Sequence, residues 1–355
     1  ALSVVLLYKI ARLFFEKKVA ILSSLLLLLE PSAIYYSNLV LSDSFFVFLL
    51  LLIVWLFVKP PSSSKQELLF KFLAGLLLGF AILVRPIGQY VALILLLFFI
   101  IYYFKKFNKQ KLFTVTLFVL GIILIVSPWA LRNKKIFNTY TLSTAGTIVL
   151  YDYTLPMHYA DEHGLVLDEA RKIFDSHVNK TGDKPYDTSL FLEPELRQAS
   201  FKYLKQNFVS YLKFHLIKTI PIFFTDGLRD ILYQIKVNNT GMPNVGSLII
   251  RGEFLELFTQ FSKSKINAIL FLGGVLMWVI INLMALIGGI RLLFNSPRKR
   301  VYFVILSIIL ILYFSLITGP IANSRYRLPF EPFVFMLASY GFYYVLDKLK
   351  KEKNA

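Results

Sequence analysis

The sequence predicts an all-α polytopic membrane protein: about eight complete transmembrane helices, a helix remnant before them, and a mostly helical extracytoplasmic domain between the fifth and sixth. Three observations predict it. Of 355 residues, 57% are hydrophobic and only 17% charged, against about 45–50% and ~25% in a soluble domain. The apolar residues come in runs of ~16–20, long enough to cross ~30 Å of hydrocarbon as helices. The charges, which sum to +18, gather in short clusters between those runs. A chain this basic invites a nucleic-acid reading, but charges confined to connections exclude it, along with disorder and an ordinary soluble enzyme. There is no Cys, so disulfides and thiolate metal sites are excluded.

In chain order, Leu2 to Tyr8 is too short to span, and Lys9 and Arg12 follow it, where a signal peptide would carry its basic residues first. It reads as the cut end of a transmembrane helix, with further protein expected upstream. The eight expected spans are Val19–Tyr36, Val40–Val58, Leu69–Val84, Ile87–Phe104, Leu112–Leu131, Ile266–Ile290, Val301–Thr318 and Leu328–Leu346. Alternate connections are Lys-rich: Lys9 to Lys18, Lys59 to Lys71, Lys105 to Lys111, Arg291 to Arg300, and the tail from Lys348. The short loops between them, such as Ser37-Asn38 and Arg85-Pro86, are tight. The positive-inside rule therefore puts the Lys-rich connections and the C-terminus in the cytoplasm of a cell-membrane protein.

Three segments follow: residues 1–131 as an N-terminal membrane bundle, 132–265 as an extracytoplasmic domain, and 266–355 as C-terminal membrane helices with a basic tail. Within the middle segment, Glu195 to Thr219 shows helical spacing of Leu196, Ala199, Tyr203, Leu204, Phe208, Tyr211 and His215, with lysines interleaved. It reads as one amphipathic helix of the membrane interface or a domain core. A shorter helix is expected over Leu167–Val178, and Asn238–Gly246 reads as loop. Asn179-Lys180-Thr181 and Asn238-Asn239-Thr240 match the N-glycosylation pattern, at a frequency near chance. His158, His163, His177 and His215 show no metal spacing.

Ionisable groups at span ends are functional candidates by default, and here nearly all map to the side opposite the lysines. Glu30 precedes Pro31, Asp43 opens the next span, Arg85 precedes Pro86, Arg132 and Asn133 follow Pro128-Trp129, and Arg325 and Arg327 precede Glu331. Arg85 and Arg132 could snorkel to lipid phosphates. Asp43 could cap its helix, in competition with Ser42. Glu30 suits a kink, and Glu331 is placed to pair with Arg327 at i, i+4. Yet arginine recurs where the general bias disfavours cations, and its planar fork grips phosphate bidentately where lysine acts as a point charge. Such a site suits a substrate with an anionic head and an apolar tail, such as a polyprenyl-phosphate-linked sugar. A carboxylate would take the acceptor's proton, cations would stabilise the departing phosphate, and a divalent ion could assist.

These same stretches resemble the GT-C class of integral-membrane glycosyltransferases, in the branch of protein O-mannosyltransferases and lipid A aminoarabinose transferases. They are Ala11-Arg12-Leu13-Phe14 with Glu30-Pro31, Leu41-Ser42-Asp43-Ser44-Phe45-Phe46, the Gly-rich Ala74 to Arg85-Pro86, Pro128-Trp129-Ala130-Leu131-Arg132-Asn133, and Arg325-Tyr326-Arg327-Leu328-Pro329-Phe330-Glu331-Pro332. The resemblance implies a polyprenyl-phosphate sugar donor and a lipid, glycan or protein acceptor, with transfer on the non-cytoplasmic face. It implies a principal catalytic acid in a first external loop that would precede Ala1. Asp43 becomes the second acidic position, orienting the acceptor or holding a metal. Arg85, Arg132, Arg325 and Arg327 become donor-phosphate contacts. Two other readings are an oligosaccharide ligase or polymerase with a pyrophosphate-linked donor, and a lipid or glycan transporter. Polar groups collected at one face rather than at mid-membrane count against transport.

Overall fold

The computed structural model describes residues 1–103, 108–178, 190–225, 227, 255–256, 259 and 265–353. Both glycosylation-pattern sites and the Asn238–Gly246 loop lie outside them, as do Lys105 and Lys106. Among the described residues every regular element is helical. The chain divides into two compact units, one of Ala1–Lys59, Ile220–Thr318 and Ala322–Ala355, the other of Pro60–Thr219 and Gly319–Ile321.

The first unit begins with α1 (Leu2–Arg12), α2 (Lys17–Leu29), α3 (Pro31–Ser37) and α4 (Asp43–Val58). Sequence dictates the break between α2 and α3. A residue before proline is pushed out of the helical region, and Glu30 is extended at φ −67°, ψ 121°. Pro31 then suits the first position of a new helix, where its missing N–H costs nothing. Glu30 caps that helix itself, its carboxylate accepting from the Ala33 N–H at 2.6 Å. The two helices meet at 56°.

The second unit carries α5 (Ser64–Val84), α6 (Val91–Tyr103) and α7 (Lys109–Phe137). Ser63 caps α5 and Asn108 caps α7, their side chains accepting from Gln66 and Lys111 backbone N–H groups. α5 and α7 run parallel with their backbones almost touching. A Cβ on Gly75 would collide with the Phe118 carbonyl, and one on Gly121 would meet Phe72 and Leu76 backbone atoms at 2.7 and 2.8 Å. Without a hydrophobic drive between helices in lipid, small residues that permit such approach hold the pair. Glu67 and Lys111 fasten one end at 2.5–2.6 Å.

Beyond α7 lie α8 (Ala145–Ile148), α9 (Leu155–His163), α10 (Leu167–His177), α11 (Glu193–Gln206) and α12 (Phe208–Thr219). Tyr151, Leu155, Phe174, Val178 and Leu196 form their core, with Tyr203 and Tyr211 against it. The single amphipathic helix expected over Glu195–Thr219 is two helices. Asn207 leaves helical geometry at φ −119°, ψ 27°, and its side-chain amide donates to the Tyr203 carbonyl, a local bond that competes with helix continuation.

The first unit resumes with α13 (Lys265–Asn295), α14 (Arg298–Thr318), the short α15 (Ser324–Arg327) and α16 (Glu331–Lys353). Gly288 and Gly341 repeat the close approach between α13 and α16, each Cβ position falling on the other's backbone at 2.9 Å. Each of the eight apolar segments is helical over most of its described residues, yet five described helices are long and apolar enough to cross a membrane, or six if the bent α2–α3 pair is one span. α4, at 16 residues, reaches only about 24 Å. α16 is sheltered by its neighbours, residues 331–339 all being buried, so it can carry more polar residues than a lipid-facing helix.

Candidate functional site

In the first unit, the α2–α3 break, the start of α4, the turn after Ile220, α13 and the entry to α16 converge on two arginines. The centre is Arg327, fully buried. Its Nε donates to Glu331 at 2.8 Å, one helical turn on, and its Nη2 to Glu30 at 3.3 Å. Its Nη1 donates to the Ile222 carbonyl at 3.3 Å, the Thr225 carbonyl, and the Thr225 hydroxyl at 3.1 Å. The guanidinium lies 3.5 Å from the centre of the Trp278 ring. Burying this charge is costly unless its geometry and hydrogen bonding are complete; here every nitrogen has a partner. Asn282 of α13 ties in the same turn, donating to the Phe223 carbonyl at 2.7 Å.

Two residues earlier, Arg325 is a third exposed. Its Nε and Nη2 reach one carboxylate oxygen of Asp43 at 3.0 and 2.9 Å, and Asp43 itself is 2% exposed. Asn323 sets this arrangement: its side chain accepts from the Arg325 backbone N–H at 2.9 Å and from the Tyr36 hydroxyl at 3.3 Å. Asp43 is the first residue of α4, where a negative charge suits the helix dipole, and Ser42 in the capping position makes no side-chain cap bond. Just ahead, Leu39, Val40 and Leu41 are exposed, leaving an apolar lip beside the pair.

In the second unit, the extended backbone of Arg85 before Pro86 ends α5, and its carbonyl accepts from Gly88 at 2.9 Å. Arg132 is exposed on α7, its guanidinium 4.8 Å over Trp129 and donating to Asn133 at 3.0 Å. Trp129 and Asn133, on the same helical face, hold the following loop by donating to the Leu142 and Thr141 carbonyls. Parallel packing brings the ends of α5 and α7, and so both arginines, to the same end of this unit. The Pro86–Gly88 turn packs against α8.

The expected i, i+4 pair Arg327–Glu331 is present. Glu30 is both the expected helix-break residue and a partner of Arg327. Arg327, expected on a donor phosphate, has every guanidinium nitrogen engaged within the protein and fixes the surrounding backbone. Arg325 is the arginine of the two open to a ligand. Trp278 and Thr225 complete the cluster, and nothing in the sequence pattern marked them. As a metal site the residues do not fit: Asp43 offers one carboxylate already held by a guanidinium, and among the described residues no three His, Cys, Asp or Glu side chains gather.

The fold and this cluster define a multi-pass, all-α membrane protein with arginine–carboxylate pairs at one end of its helices. Residues 1–131 match the family model described as dolichyl-phosphate-mannose-protein mannosyltransferase. That match covers α1 to most of α7 and supports a membrane glycosyltransferase of GT-C type, acting on sugar donors and acceptors. Neither the curated proteins nor the solved structures give a match to this chain.

Proposed function

We propose that the protein moves a monosaccharide from a polyprenyl-phosphate carrier to a lipid, glycan or protein acceptor, on the membrane face opposite the Lys-rich connections. By the charge rule that face is extracytoplasmic. The observation that carries the reading is Arg325, partly exposed, resting on buried Asp43 beside an apolar lip. An anionic lipid headgroup arriving there competes with Asp43 for Arg325, because a phosphodiester offers two oxygens to the guanidinium fork where Asp43 offers one. Asp43 accepts the acceptor hydroxyl's hydrogen bond and orients it toward the anomeric carbon, where the new C–O bond forms while the hydroxyl proton passes to the principal carboxylate that the resemblance implies upstream of Ala1. As the sugar–phosphate bond breaks, negative charge grows on the leaving phosphate, where a fixed cation lowers the barrier most. Arg327 positions Arg325 from two residues away. The exposed Leu39, Val40 and Leu41 suit the isoprenoid chain.

The test is transfer from radiolabelled mannosyl-phosphoryl-polyprenol in proteoliposomes. The full-length protein, with the segment expected upstream of Ala1, should consume it, and its Arg325→Ala variant should not. Consumption only of a pyrophosphate-linked oligosaccharide would replace this reading with a ligase.

A further inference from the structure

At the Lys-rich end of the first unit, a cavity of about 430 Å³ opens where the starts of α2 and α14 meet the last turns of α16. Small-ligand pockets run from ~300 to 1,000 Å³. One side is aromatic, formed by Phe15, Tyr340, Tyr343 and Tyr344. Lys18, Arg300, Lys348 and Lys351 stand around it, with Glu16 and Asp347. Lys18 takes up both acids, at 3.5 Å from Glu16 and 3.3 Å from Asp347. Among the described residues no ion pair engages Arg300 or Lys351. Lys348 meets Glu352 at 3.9 Å with both side chains 63–67% exposed, a pair worth little. Arg300 and Lys351 therefore face this space without a carboxylate to neutralise them, and Lys348 with only a weak one. Arg300 is held half-buried, 5.8 Å from the Phe15 ring, and the positive ends of α2 and α14 add to the field. Lysines that merely anchor a loop in solvent need neither a cavity nor a half-buried arginine.

We propose that this cavity binds the phosphate of an anionic phospholipid headgroup. Arg300 supplies the fork, Lys348 and Lys351 supply point charges, and tyrosine hydroxyls supply neutral donors. Phe15 and Val19 take the glycerol backbone, which free phosphate would leave unused. Basic pockets between membrane helices at a cation-rich face recognise such headgroups. The site is independent of sugar transfer and lies on different residues.

Native mass spectrometry of the purified protein with added phosphatidylglycerol or phosphatidylcholine tests it. Wild type should retain phosphatidylglycerol and release phosphatidylcholine. Arg300→Gln with Lys351→Gln should weaken retention roughly ten-fold or more. Lys65→Gln with Lys109→Gln removes the same charge from exposed positions and should leave retention unchanged. Tyr343→Phe, which keeps charge and packing, should lower it about two- to five-fold, and serves if the double variant fails to fold. Equal loss in the Lys65/Lys109 control, or full retention in the cavity variants, overturns the proposal. Displacement of the lipid by inorganic phosphate at equal concentration overturns its lipid half.

Discussion

Asp43 and Arg325 stand 282 positions apart in sequence and meet at 2.9 and 3.0 Å through two guanidinium nitrogens on one carboxylate oxygen. The pair is sealed on the aspartate side and open on the arginine side, an arrangement that holds a charge ready for exchange. Arg325→Ala and Asp43→Asn should each lower sugar transfer by about 10²-fold with helical content and elution unchanged. Arg325→Lys, which keeps the charge and loses the fork, should fall between. Wild-type turnover in Asp43→Asn would leave that residue as a helix-start charge and nothing more.

Arg327 should behave differently. Its removal strands Glu30 and Glu331 in the interior, so Arg327→Ala should cost ~3–5 kcal/mol of stability, read as a lowered Tm in detergent. A triple variant with Arg327→Met, Glu30→Gln and Glu331→Gln removes all three charges together and should recover most of the loss. If Arg327→Ala melts like wild type, the cluster does not hold the fold.

His158 makes the stability of the helices that follow α7 depend on pH. It is 1% exposed, its Nδ1 lies 2.8 Å from the Tyr203 hydroxyl, and rings of Tyr203, Tyr211 and Phe214 surround it. Burial lowers its pKa, with Glu162 and Asp161 opposing; burial also raises Tyr203 and pushes Tyr211 up to about 12. The unfolded chain then binds a proton that the folded chain refuses. Stability is complete above the unfolded value of ~6.5 and is lost as pH falls from there toward the folded value, by at most about 1.4 kcal/mol per pH unit. Thermal melts at pH 7.5 and 5.5 should separate for wild type and converge for His158→Phe.

At Gly75 and Gly121 the α5–α7 seam leaves no room for a Cβ. Gly121→Leu should destabilise by ~1–3 kcal/mol or more, whereas Gly146→Ala, which meets nothing within 4 Å, should be neutral. Equal melting of the two variants would mean that the helices are not in backbone contact.

The absence of native cysteine makes the orientation directly measurable. Cysteine at Lys65 or Lys348 should be shielded from a membrane-impermeant maleimide in intact cells, and cysteine at Glu195 should react. The reverse pattern would invert the charge-rule orientation and move the proposed transfer site to the cytoplasmic face.

Local physics was readable in the sequence. Apolar runs marked the helices, Pro31 and Pro86 marked the breaks before them, and the i, i+4 spacing marked Arg327–Glu331. What the sequence hid depended on contacts between distant segments. Glu30 reads as a kink until Arg327 arrives from 297 positions away, and Trp278 reads as one more apolar residue of a span. Arg325 and Arg327 look equivalent as text, yet burial separates them into an open cation and a sealed one. The split at Asn207 was also hidden, because the periodicity of α11 carries on into α12 with no proline or glycine to interrupt it.

The glycine seam also works as a caliper. Two helices in backbone contact cannot slide by less than roughly one turn, ~5.4 Å, and Glu67 with Lys111, 44 positions apart, pins the scale at its far end. The height difference between Arg85 and Arg132 is thus graduated by the polypeptide itself, so the proposed donor would have to match a span set in advance in order to engage both.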